Sequence, residues 1–71
     1  MLKTGIYKHF KGNEYKVLHL AKHSETQQEL VVYQALYGER GIWVRPLNMF
    51  TEEVQKPEYT GPRFVWVRDE E

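Results

Sequence analysis

The sequence predicts an all-β fold, a small five-stranded SH3-like barrel or roll with one short helical turn. Three observations lead there. Most of the chain alternates polar residues with β-branched or aromatic ones, the period of a strand with one buried face. Clusters of Gly, Asn, Pro and Ser interrupt that pattern, and no stretch sustains the periodicity of a long helix. A chain of 71 residues is too short for two stacked sheets with a full core between them. Five short strands, in contrast, can close into a small barrel, which also removes their exposed edges.

The elements follow in order. Residues 5–10, GIYKHF, run into Lys11-Gly12-Asn13, a turn signal, and residues 14–23, EYKVLHLAKH, resume the apolar alternation, so the two read as a first hairpin. Residues 24–28, SETQQ, are polar and form a loop. The Ser24-x-x-Gln27 spacing matches a helix capping box, but the Val31-Val32-Tyr33 run that follows favours a strand. Residues 29–37, ELVVYQALY, make the strongest strand of the chain.

The next stretch, GERGIWVRP at residues 38–46, reads as a hairpin tip and the strand after it. Gly38 and Gly41 are expected to supply positive φ angles for the turn. With residues 38–41 as the loop, Tyr37 faces Ile42, Leu36 faces Trp43, Ala35 faces Val44 and Gln34 faces Arg45. One side then carries Tyr33, Ala35, Tyr37, Ile42, Val44 and Pro46 and is the expected core face. The other carries Gln34, Leu36, Trp43 and Arg45, and a slip of one residue exchanges the two. Pro46 ends the strand because it cannot donate to a ladder. Leu47, Phe50 and Val54 are spaced three and four apart, which predicts a short helix or 3₁₀ turn over residues 47–54. Residues 55–62, QKPEYTGP, hold two prolines and a glycine and are expected to be a loop. Residues 63–67, RFVWV, are a last strand, and RDEE trails off charged.

Taken together, YKHFKGNEYKVLHLAKHSET, LVVYQALYGERGIWVRPLNMF and the closing PRF resemble a bacterial family of unknown function, domain of unknown function 1653. The resemblance runs from about Gly5 to Phe64 and rests on the order of His-Ser-Glu-Thr, Val-Val-Tyr, Tyr-Gly and Trp-Val-Arg-Pro. It implies a small single-domain bacterial protein with a barrel of the kind derived above, and it implies no activity. QKPEYTGPRF departs from it and looks like a variable loop.

Composition narrows the function classes. One domain over residues 1–71, with its core over about 5–67, is all this length allows. With no cysteine there is no disulfide, thiolate nucleophile or thiolate metal site, which fits a reducing, cytoplasmic setting. No stretch has the length of a signal peptide or membrane span, so no membrane partner is expected. The net charge is zero but unevenly spread: residues 1–23 hold five lysines against Glu14, and residues 24–71 hold five cations against nine acids. A uniformly basic nucleic-acid binder is not expected, while a local basic face remains open.

No catalytic residue, cofactor or metal is expected. His19 and His23 lie four apart on one strand, about 13 Å by strand rise, too far to share an ion. His23, Ser24 and Glu25 contain the triad residue types but, as neighbours in sequence, point in different directions. Gly38 and Gly41 lack the Lys-Ser/Thr and helix of a phosphate cradle. Trp43 and Arg45, two apart on one strand, share a face, and this pairing is typical of binding hot spots. The alternative is that Trp43 packs under the helical turn near Met49 and Phe50, with Arg45 over its edge. The leading expectation is therefore a non-catalytic binding module. It presents Trp43, Arg45, Leu36 and Gln34, with Arg40 at the rim, to a peptide or protein partner. The second is single-stranded nucleic-acid binding through the first hairpin, where Lys8, Lys11 and Lys16 contact phosphates and Tyr15 stacks on a base.

Overall fold

The computed structural model describes residues 2–69, and the last two acids of the charged tail, Glu70 and Glu71, lie outside the described residues. The fold is all-β. Its strands are β1 (Gly5–His9), β2 (Glu14–Lys22), β3 (Glu29–Ala35), β4 (Ile42–Pro46), β5 (Glu53–Lys56), β6 (Tyr59–Pro62) and β7 (Phe64–Arg68), with one helical turn, α1 (Leu47–Phe50). The five strands expected from the sequence form one antiparallel sheet in the order β4-β3-β2-β1-β7, and β5 and β6 pair separately. Strand pairing does not close the sheet into a ring, so β4 and β7 are its two edges.

Local chemistry accounts for each reversal. Between β1 and β2, the Gly12 N–H donates to the His9 carbonyl, and Gly12 takes the left-handed φ of 107° that a side chain would resist. Between β2 and β3, the His23 Nδ1 accepts the backbone N–H groups of Glu25 and Thr26 at 3.1 and 3.4 Å, which ties the polar loop into a turn rather than a capped helix. Two irregularities bend the sheet, at Val17/His19 in β2 and at Ile6/Tyr7 in β1. Gly5 sits beside the second with a φ of 123°. A Cβ there would lie 2.7 Å from the Arg68 carbonyl oxygen and 2.8 Å from the Trp66 indole nitrogen.

The bent sheet packs one face around aromatic rings. Tyr7, Val17, Val31, Tyr33, Phe50 and Phe64 form the buried cluster. Phe50, delivered by α1, stacks on Phe64 at 4.1 Å and meets Tyr7 and Tyr33 edge-on at 5.5 and 5.4 Å. These offset and edge-to-face contacts suit the ring quadrupoles. The turn at α1 is shorter than the spacing of Leu47, Phe50 and Val54 implies, because Val54 is already in β5.

Residues 55–62 are not a loop: β5 and β6 pair from Glu53↔Pro62 to Lys56↔Tyr59. Pro57 and Glu58 make the tight turn between them, and Pro62 stands at the end of a two-stranded ribbon with no further strand to bond. The ribbon is held to the sheet by buried Val54 and by Phe10 stacked on Tyr59 at 5.3 Å, and the Arg63–Glu52 ion pair at 2.9 Å ties its base together. Among the described residues, no helix is long and apolar enough to cross a membrane.

Candidate functional site

The β3–β4 hairpin positions the residues of interest. Its register is Leu30↔Pro46, Val31↔Arg45, Val32↔Val44, Tyr33↔Trp43 and Gln34↔Ile42. Gln34 therefore faces Ile42 and not Arg45, a shift of three from the expected pairing. Because the shift is odd, β4 presents the opposite set of side chains to the core side. The loop is longer than four residues. Arg40 donates its N–H to the Tyr37 carbonyl, Gln34 Nε2 donates to the Arg40 carbonyl at 2.9 Å, and Ala35 N–H to the Gly41 carbonyl at 3.0 Å. The left-handed residues are Gly38 and Arg40, at 58° and 56°, and not Gly41. Gly41 serves close approach instead: a Cβ there would meet the Trp43 indole nitrogen at 3.3 Å.

The consequence is a mixed and open edge. Val31, Tyr33, Trp43 and Arg45 share the core-side face, and Val32, Gln34, Ile42, Val44 and Pro46 share the other. Ile42 and Val44, expected in the core, are 61% exposed each, and Trp43 is 60% exposed. Trp43 is thus not packed beneath the helical turn. Arg45 is half-buried on Trp43's face, and none of the ion pairs among the described residues involves it. The bond from Ala35 to Gly41 also sets the phase of the ladder. Gly41, Trp43 and Arg45 turn their backbone groups to β3, so Ile42 and Val44 turn theirs outward from the sheet.

A hollow of about 220 Å³ opens at the hairpin tip, lined by Ala35, Tyr37, Gly38, Glu39, Arg40, Gly41 and Trp43. Tyr37 reaches it because its hydroxyl bonds that of Tyr15 at 2.6 Å, with the rings edge-to-face at 5.5 Å. Burial, and then the bond to Tyr37, push the Tyr15 phenol up to about 12, so it stays a neutral hydrogen-bonding group. The four-residue loop expected from the sequence puts Tyr37 on the core face, whereas it is 46% exposed. Tyr37 lies in the loop two residues past the end of β3, and its place directly before Gly38 is the one local sign of that.

The other named residues are dispersed. Leu36 is half-buried and gives its N–H to the Glu14 carbonyl, away from β4. Gln34 lies on the face opposite Trp43 and Arg45. Of the first-hairpin set, Lys8 and Lys16 flank Tyr7 and Tyr15 on the opposite side of the sheet from them, Lys11 sits in the turn, and Tyr15 faces inward onto Tyr33, Tyr37 and Phe64. The structure therefore does not bring these three lysines and Tyr15 to one surface.

His9 lies against Phe10 and Phe64, and its Nδ1 accepts the Lys11 N–H at 3.1 Å. Burial, followed by the charges of Arg63, Lys11, Arg45 and Lys56, holds its imidazole below the ordinary value. Among the described residues, no three His, Asp or Glu side chains converge as a metal site would need. A second, larger hollow of about 300 Å³ lies across β1 and β7, lined by Lys8, His9, Phe10, Val65 and Val67. It is almost wholly apolar and has no set of converging polar groups, whereas the tip hollow combines an aromatic wall with hydrogen-bonding groups.

Comparison with curated proteins finds no match. Among solved structures, the crystal structure of a DUF1653 protein from Bordetella bronchiseptica is 36% identical, with a TM-score of 0.87 over 96% of this chain and 90% of that one. The family model described as "Protein of unknown function (DUF1653)" matches residues 5–69, nearly the whole described chain. With that coverage and that structural likeness, the chain belongs to the DUF1653 family.

Proposed function

We propose that the protein is a non-catalytic binding module and that a peptide or protein partner engages the exposed β4 strand through Trp43 and Arg45, with Tyr37 and Arg40 at the rim. The observation that carries this reading is the run Ile42, Trp43, Val44, each about three-fifths exposed on an open edge. Isolated exposed apolar residues are ordinary, but three in a row on an unpaired edge strand are a liability that folds usually cover or charge. An exposed tryptophan with an arginine two residues on also has the composition of an interface centre. The alternative, single-stranded nucleic-acid binding by the first hairpin, loses support from the dispersal of Lys8, Lys16 and Tyr15.

Selection of displayed random peptides on the wild-type protein, with Trp43→Ala and Arg45→Glu as parallel targets, tests the reading. Peptides enriched on the wild type and lost on both variants are the expected result. Enrichment that is absent, or indifferent to both changes, contradicts it.

A further inference from the structure

Resting on the binding reading above, we infer that the partner contributes an extended, acid-bearing segment that adds to the sheet as an antiparallel sixth strand beside β4. The main chain provides the first argument. Ile42 and Val44 present their N–H and C=O groups outward, and every ladder of this sheet is antiparallel. A strand laid alongside exchanges two bonds with each of these residues. Pro46 has no N–H, so the pairing ends there.

Charge provides the second argument and selects the occupant. Arg45 has no ion pair among the described residues, and it stands on Trp43's face. The partner residue opposite Arg45 is therefore acidic, the one opposite Trp43 aromatic, and those opposite Val44 and Ile42 apolar. A second copy of the chain does not meet this requirement. β4 contains no carboxylate, so pairing two copies of β4 brings no acid opposite Arg45.

The recognised pattern, read from its N-terminus, is acid-apolar-aromatic-apolar. The probe is acetyl-Ser-Glu-Val-Tyr-Val-Ser-amide, titrated into the labelled full-length protein and followed by amide NMR. Two N-methylated forms separate strand addition from other modes. Methylation of the first valine blocks an N–H aimed at the Val44 carbonyl, whereas methylation of the tyrosine blocks one aimed at solvent. The expected result is binding mapped to Ile42 and Val44, weakened about tenfold by the first methylation and little by the second, since it leaves a backbone acceptor unpaired. A lysine-for-glutamate peptide should in turn prefer the Arg45→Glu protein. Equal effects of the two methylations overturn strand addition and leave the Trp43 face standing if displayed peptides still depend on it. Loss of β4 shifts with the probe, while other Trp43-dependent peptides bind, overturns the acidic pattern alone. A concentration-dependent dimer dissociated by Val44→Lys, or oligonucleotide-induced shifts at Ile42 and Val44, assigns the edge to a different occupant and overturns the inference.

Discussion

Phe50, Gly5, Trp43 and His9 each answer to a different force. Phe50 is 1% exposed and stacked on Phe64, so Phe50→Ala leaves a cavity where α1 packs against the sheet and Phe64 of β7. Its expected cost is about 3–5 kcal/mol. A domain of this size holds only about 4–10 kcal/mol in total, so the variant should show a sharply lowered urea midpoint. Gly5→Ala places a methyl against backbone oxygen at a left-handed φ and should cost about 1–3 kcal/mol by the same measurement. Trp43→Ala removes an exposed side chain, and its midpoint should stay within about 0.5 kcal/mol of wild type while binding is lost. That separation of stability from binding distinguishes a recognition residue from a core one.

His9 gives a pH dependence. Folding holds its imidazole below the ordinary value of 6.5, so the unfolded chain takes up the proton more readily. The stability this contributes is complete above the unfolded value and is lost as pH falls below it and through the folded one. Glu14, whose carboxyl is lowered mainly by its bonds to Arg68, titrates below that window. Urea midpoints at about pH 7.5 and about pH 5.5 should therefore fall on acidification, and His9→Gln should flatten the difference. A wild-type midpoint that rises on acidification would contradict the assignment.

At the scale of elements, alternation and turn chemistry made the main sheet legible. Lys11-Gly12-Asn13, SETQQ and Pro46 mark real reversals or ends, and the five strands expected are the five of the main sheet. What escaped depends on contacts between distant residues. The β3–β4 register is not legible locally because the loop is widened by Arg40 bonding Tyr37 and by Gln34 bonding the Arg40 carbonyl, neither of which leaves a trace in local pattern. The β5–β6 ribbon escaped because two prolines and a glycine read as loop. It is tertiary contact, Phe10 on Tyr59 and Arg63 on Glu52, that holds it. The candidate site is legible in part: Trp43 and Arg45 do share a face, but β4 stands at the sheet's edge and leaves Trp43 open to solvent. Tyr37 and the outward backbone of Ile42 and Val44 follow only from the register.

For the whole molecule, the open sheet is the feature that matters. Of its two edges, β7 ends in Arg68, which is engaged with Glu14, while β4 carries the exposed apolar run and the arginine outside any described ion pair. Chain-wide neutrality argues against attraction to nucleic acid as a general property. The proposed recognition accordingly rests on one strand and its flanking tip rather than on overall charge.

The most direct measurement is an amide-resolved titration of the labelled protein with the acid-bearing peptide and, separately, with a mixed single-stranded oligonucleotide, each at low and high salt. Peptide-induced shifts centred on Ile42, Trp43 and Val44 that persist at high salt are expected, because backbone pairing and apolar contact carry most of the affinity. Silence on β4 with the peptide, together with salt-sensitive oligonucleotide shifts from Lys8 to Lys16, would contradict the proposal, since counterion release marks phosphate contacts.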